Sequence, residues 1–249
     1  MITACLTYFR SLSLLNLEAA LFSLRMQDLS QVEQIVVLDN DSPDSSDSIR
    51  EVITAQGFPV PVVFQSVKHG DASRAHSWST NTAVRLARTP WVFFTRADYI
   101  LDYDLLRRSA ECMGPDCFVV GDGYHLHQDV ASCERTSWRH KGPTALQQIS
   151  GSRVGYTVID SGVWMSSVEA FHRVGGLDEG LTAWGHAQTH FQYKLHKAGT
   201  VFVRIPEVMF YHPIHGAQRD LTLANQQLSA RGLNVKELWA RYEGEHAYR

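Results

Sequence analysis

A chain of 249 residues with 44% hydrophobic side chains is long enough for one sizeable α/β domain with a buried core, and its length does not call for a second. A formal net charge of -3, from 26 acidic and 23 basic residues, excludes a global attraction to polyanions and leaves only a local basic patch to be considered. The cysteines Cys5, Cys112, Cys117 and Cys133 show no Cys-x-x-Cys spacing, so free thiols in a reducing compartment are expected rather than a zinc knuckle or a redox pair.

In chain order, Ile2 to Tyr8 reads as a strand, and Leu14, Leu17, Leu21 and Leu24 then fall at helical spacing. Arg10, Asn16 and Glu18 interrupt this apolar start, which argues against a signal peptide or membrane span and predicts a soluble cytoplasmic protein. A second strand over Gln34 to Asp39 ends in the turn-rich run Asp39 to Ser46. A helix to about Gln56, a strand at Val60 to Gln65, a helix over Ala72 to Leu86 and a strand at Trp91 to Thr95 follow. This βαβ alternation predicts an α/β fold with a mostly parallel central sheet flanked by helices. Gly121 to Gly155 is polar, rich in histidine and weakly periodic, so irregular loops are expected there.

Parallel sheets bind ligands beyond the carboxyl ends of their strands, where Thr7 to Arg10, Asp39 to Asp44 and Arg96 to Asp98 collect. Those segments also carry a resemblance. Trp91 to Leu101 is similar to the metal and sugar-nucleotide corner of family 2 glycosyltransferases of the GT-A (Rossmann-like) fold. There the usual text is Phe-Leu-Asp-Ala-Asp-Asp, and here Arg96 replaces the first acid of the pair while Asp98 keeps the second. Leu6 to Arg10 resembles the family's Pro-Thr-Tyr-Asn-Arg, and Val37 to Asp44 its Val-Val-Asp-Asn-Gly-Ser-Thr-Asp. Asn81 and its surroundings, Gly70 to Ala83, resemble the Gly…Ala-Arg-Asn-x-Gly helix. Val174 to Glu179 and Trp184 to His190 match Gly-Gly-Phe-Asp-Glu and Trp-Gly-x-Glu-Asp-x-Asp, with Ala187, Gln188 and His190 at the three acidic positions. Together the matches span most of residues 1 to 215.

The resemblance implies a single GT-A domain over 1–249: a nucleotide-binding half (1–112), an acceptor-side half (113–219) and a C-terminal helical tail (220–249). It implies transfer of a hexose-type sugar from a nucleoside diphosphate, most simply UDP, to an acceptor hydroxyl on a glycan, a protein or a hydroxylated DNA base. Thr7, Tyr8, Arg10, Asp39, Asn40, Asn81, Arg96, Ala97 and Asp98 then fall on the donor side, with Lys68, Arg74 and His76 as weaker phosphate candidates. Asp178, Glu179, Trp184 and Gly185 fall on the acceptor side. A divalent cation, Mn²⁺ or Mg²⁺, is implied at Asp98 and His212, although Arg96 places a fixed positive charge where a second carboxylate normally helps.

Proton removal is left open among the candidates His186, Gln188 and His190. Gln188 accepts no proton at useful pH, so one of the histidines, the departing phosphate or an acidic acceptor must do so. Two rivals stand beside this reading. The pairs His186/His190 and His212/His215 can form a zinc hydrolase centre, or the lost carboxylates mark a degenerate sugar-nucleotide or glycan binder. The run Glu134 to Lys141 joins positive charge to Trp138, a possible contact for nucleic acid.

Overall fold

A computed structural model describes residues 1–68, 75–154, 162–182, 186–215 and 221–234. Its strands are β1 (Ile2–Phe9), β2 (Val32–Asn40), β3 (Val62–Val67), β4 (Trp91–Arg96), β5 (Ile100–Leu101), β6 (Cys117–Leu126), β7 (Gly151–Val154), β8 (Trp164–Ser167) and β9 (Val201–His212). The helices are α1 (Leu14–Arg25), α2 (Ser46–Ala55), α3 (Ala75–Arg85), α4 (Leu105–Glu111), α5 (Val130–Glu134), α6 (Trp138–Lys141), α7 (Val168–Arg173), α8 (Ala187–Lys197) and α9 (Leu221–Ser229).

One sheet runs β3-β2-β1-β4-β8-β6-β9-β5, with β7 pairing β6. The first four strands are parallel, as the βαβ alternation requires. From β4 onward the sense changes: β8 runs antiparallel to both β4 and β6, and β5 and β7 add antiparallel edges, while β6 and β9 are again parallel. The change of sense falls in the second half of the chain, where β7 returns antiparallel on β6 after α5 and α6, and β8 then inserts between β4 and β6.

Every residue of β1 is buried because both faces of the sheet are covered. Alternate residues serve two cores. Ala4, Leu6 and Tyr8 join Ile35, Val37, Phe93 and Met165 under Leu17, Leu21 and Leu24 of α1. Cys5, Val36, Leu38 and Phe94 join Phe118 and Trp164 under Ala83 of α3, Phe171 of α7 and Phe191 of α8. Trp164 stacks on Phe94 at 5.0 Å and on Phe118 at 5.4 Å, filling the seam where parallel meets antiparallel. The cysteines are free thiols, Cys5 and Cys133 being buried.

The stretch expected as irregular loops is instead ordered up to Val154. Asp129 caps α5, accepting from Ser132 N–H at 2.9 Å. Trp138, Leu146, Val130 and Cys133 close a third small core with Leu126, Ile100 and Tyr211. Elements of four to six residues are too short to show a period, which hid this subdomain-sized packing. The expected glycine stop of α8 is Gly199, at φ +81°, beyond its last residue Lys197. The C-terminal tail is helical over α9, and residues 235–249 lie outside the described residues. Among the described residues no helix is long and apolar enough to cross a membrane.

Candidate active site

Strand register assembles the site. Pairing of Thr7 with Arg96 and of Tyr8 with Asp39 brings the ends of β1, β2 and β4 to one edge. Beyond β4 the Ala97 N–H donates to Thr7 O at 2.9 Å, turning the chain so that Asp98 sits under the sheet end. Pairing of Ile100 with Tyr211 then delivers His212, from the end of β9, beside it.

Asp98 is the centre of this edge and is buried. Arg96 grips it with two hydrogen bonds, Nε to Oδ1 at 3.1 Å and Nη2 to Oδ2 at 3.0 Å. The same guanidinium also bonds the Tyr99 hydroxyl and lies 4.7 Å from that ring's centroid. His212 Nε2 and His215 Nε2 lie 3.4 and 3.3 Å from Asp98 Oδ2, and 3.2 Å from each other. Burial alone would raise the Asp98 pKa, but Arg96 and then the two histidines overcome it and hold the carboxyl well below its ordinary range. Burial lowers His212, against the pull of Asp98. His125 meets the His212 ring edge-on at 4.8 Å and fixes its plane.

One carboxylate oxygen and two imidazole nitrogens within 4.8 Å of one another form a donor set that fits a divalent cation of the Mn²⁺ or Zn²⁺ kind. The expected pair Asp98 and His212 is therefore brought together, with His215 as a third member. Its His-x-x-His spacing was visible in the sequence but was read there only as half of a zinc centre. The four histidines of that centre do not gather: His186 bonds Asn225 at 2.9 Å and His190 faces Asp178.

Asp39 is fully buried at the end of β2. Its Oδ1 accepts from Ser42 N–H at 3.0 Å, while Oδ2 accepts from Ser66 Oγ at 2.6 Å and Lys68 Nζ at 2.8 Å. Lys68 also donates to Ser42 O at 2.6 Å and so braces the following loop. Arg10 pairs with Asp41, whose φ of +60° fits an Asp in a turn. Tyr8 was expected at the donor; it is buried in the first core, and its hydroxyl touches the pocket through Asp44. Asn40 and Ala97 are buried, and the buried Thr7 Oγ1 has no hydrogen-bond partner. Arg74 lies outside the described residues.

Asn81, expected on the donor side, bonds across to the segment that follows α7. Its Nδ2 donates to Leu177 O and Glu179 Oε1, both at 2.9 Å, and its Oδ1 accepts from Leu177 N–H at 2.8 Å. It thus clamps α3 to the turn at Gly175 and Gly176, whose φ values of +73° and +62° require glycine. Glu179 adds an ion pair with Arg85 at 3.6 Å, and Asp178 pairs with Arg231 and lies 3.9 Å from His190 Nδ1. Trp184 and Gly185 lie outside the described residues.

Gln188 is buried at the start of α8 beside His76. The two are close enough for the amide to support the imidazolium, yet neither amide atom completes a hydrogen bond. Burial, then Arg96, push His76 down to about 3, which places this imidazole within electrostatic reach of the Asp98 centre. Burial likewise lowers His190, with Lys194 adding to it. The basic run is not a stacking surface: Trp138 is buried, and Arg139 pairs with Glu134 at 2.9 Å and Glu18 at 3.1 Å.

The family model for glycosyl transferase family 2 matches residues 5–174, and that for the N-terminal domain of galactosyltransferase matches residues 145–215. No curated protein matches the chain by sequence. Among solved structures, the mannosyltransferase PcManGT of Pyrobaculum calidifontis, in complex with GDP-Man and Mn²⁺, is similar at 16% identity with a TM-score of 0.61 over 100% of this chain and 65% of its own. GalNAc-T7 with UDP, GalNAc and Mn²⁺ is similar at 12% identity, TM-score 0.62, over 92% of this chain and 47% of its own. TarS of S. aureus is similar at 12% identity, TM-score 0.63, over 100% and 44%. The chain thus spans less than two thirds of each.

Proposed function

The chain belongs to glycosyl transferase family 2, and from that premise we propose that it moves a sugar from a nucleoside diphosphate to an acceptor hydroxyl. The observation that carries this is the buried Asp98 carboxylate, held between Arg96, His212 and His215 where three strand ends meet. Asp39 supports uridine as the nucleoside. Its Oδ2 already accepts two hydrogen bonds and its Oδ1 one, which suits the single ring N–H of uracil better than the paired donors of guanine. A glycan or protein hydroxyl is the acceptor class favoured, because Trp138 of the Glu134 to Lys141 run is buried and Arg139 is taken up by Glu134 and Glu18.

Asp98, His212 and His215 would hold a divalent cation, which supplies charge neutralisation to a diphosphate. Arg96 adds a fixed positive charge to the same corner and limits how far the site depends on that cation. His190, kept neutral by burial, takes the acceptor proton in place of the missing carboxylate at Gln188.

Purified protein incubated with a panel of UDP-sugars and Mn²⁺ should release UDP, and transfer should appear when glycan or peptide acceptors are added. Donor binding without release or transfer under any condition would turn the reading into one of a binding protein. Preference for GDP-mannose over every UDP-sugar would overturn the uridine assignment.

A further inference from the structure

The segment of α9 and the residues just after it, to Arg231, bonds to Asp178, Thr182 and His186 at three points. His186 Nε2 meets Asn225 Oδ1 at 2.9 Å, Gln227 Nε2 donates to Thr182 Oγ1 at 2.7 Å, and the Arg231 guanidinium pairs with Asp178. Leu228 anchors this segment in the second core. Arg231 is itself fixed: its Nη1 donates to Gln227 O at 2.8 Å, and a Cβ on Gly180 would stand 2.6 Å from its Nη2, so glycine makes the room. Asp178 is fixed in turn, with Oδ1 accepting from Gly180 N–H at 2.8 Å. Its Oδ2 lies 3.9 Å from His190 Nδ1, a buried nitrogen without a hydrogen-bond partner. That separation is electrostatic contact, beyond hydrogen-bond length.

We propose that Arg231 is a positioning residue of the acceptor side: it pins the Asp178 carboxylate beside His190 Nδ1, so that the neutral ring carries its proton there and presents Nε2 to the acceptor hydroxyl. This rests on the reading of His190 as the base. A carboxylate favours the proton on the nearer ring nitrogen. The planar guanidinium fixes the carboxylate's orientation in a way that a point charge does not. Its positive charge has a second effect, offsetting a carboxylate that would otherwise hold the ring protonated. Among the described residues, the charged groups acting on His190 are Lys194, Asp178 and Arg231; burial, Lys194 and Arg231 lower it, and Asp178 opposes them. A segment distant in sequence from the strand-end motifs thereby becomes part of the acceptor machinery.

The test is the titration of the His190 imidazole C–H signals by NMR in the full chain, assigned with His190→Gln. Arg231→Gln should raise the midpoint by about half a unit to one unit, because Asp178 then acts on the ring uncompensated. Asp178→Asn should lower it, and Arg231→Lys, which keeps the charge but not the planar fork, should hold the midpoint close to wild type while losing turnover. A merely structural role for Arg231 would leave the midpoint in place. If Arg231→Gln and Asp178→Asn both fold and titrate like wild type, the proposal is overturned. Turnover separates the two ideas: shifted midpoints with full activity in His190→Gln would support the Arg231 pairing and remove His190 as the base.

Discussion

Replacing Arg96 by methionine tests the central corner most directly. The Arg96 and Asp98 side chains are only 10% and 0% exposed, so the change strands a buried carboxylate that had two charged hydrogen bonds. Breaking a buried pair from one side typically costs 3 to 5 kcal/mol, and a cost of about 3 kcal/mol is expected because His212 and His215 take up part of the charge. For a domain of this size that lowers Tm by roughly 10 °C. A cation bound at 100 times its Kd returns about 2.7 kcal/mol, so Mn²⁺ should restore most of the loss in the variant. Wild type should gain less, since Arg96 already neutralises Asp98 and competes with the ion. Thermal unfolding at pH 8, in EDTA and then in excess Mn²⁺, measures both quantities. A variant that melts with wild type in EDTA, or that gains no more from Mn²⁺, would refute the coupling between Arg96 and the cation.

Asp39→Ala should weaken UDP-sugar binding by about 1.5 to 3 kcal/mol through loss of a buried charged acceptor, and unchanged affinity in calorimetry would remove Asp39 from the base pocket. Asn81→Ala should cost about 2 to 3 kcal/mol in urea unfolding, because it leaves the Leu177 amide groups unpaired, with donor affinity preserved; a large loss of affinity at normal stability would instead return Asn81 to the donor site. His190→Ala should lose about 10²-fold or more in turnover, whereas Gln188→Ala should lose far less, and the reverse order would be incompatible with a histidine base. His76 sets an acid limit: its folded pKa of about 3 lies below the ordinary 6.5, so its contribution is present above 6.5 and is lost as pH falls toward 3. At about 1.4 kcal/mol per unit the ceiling is roughly 5 kcal/mol, and about 2 kcal/mol is expected; His76→Gln should therefore flatten the acid limb of the stability curve, and an unchanged limb would contradict this.

The parallel half of the sheet was legible because Ile2 to Tyr8, Gln34 to Asp39 and Trp91 to Thr95 are near-continuous apolar runs, as strands covered on both faces must be. Asp39 and Asp98 were legible as candidates because such strands end where parallel sheets bind ligands. Tyr8 packs its ring in the first core and turns only its hydroxyl toward Asp44, a split between apolar body and polar tip that the sequence does not display. The link of His215 to Asp98, and the pairing of Arg231 with Asp178, were hidden for another reason. In each pair the two residues lie far apart in the chain, and no local period reports a contact of that range.

The Asn81 side chain does with its amide what a backbone amide does in a sheet, giving one hydrogen bond to Leu177 and taking one back. It is in effect a peptide rung built from a side chain, and it splices α3 to the glycine turn at Gly175 and Gly176. Because two antiparallel bonds resist both sliding and rotation, α3 and this turn behave as one lever. Cutting that rung, as in Asn81→Ala, would leave Asp178 and Glu179, which follow the turn, tied to α3 through the Arg85–Glu179 ion pair and core packing.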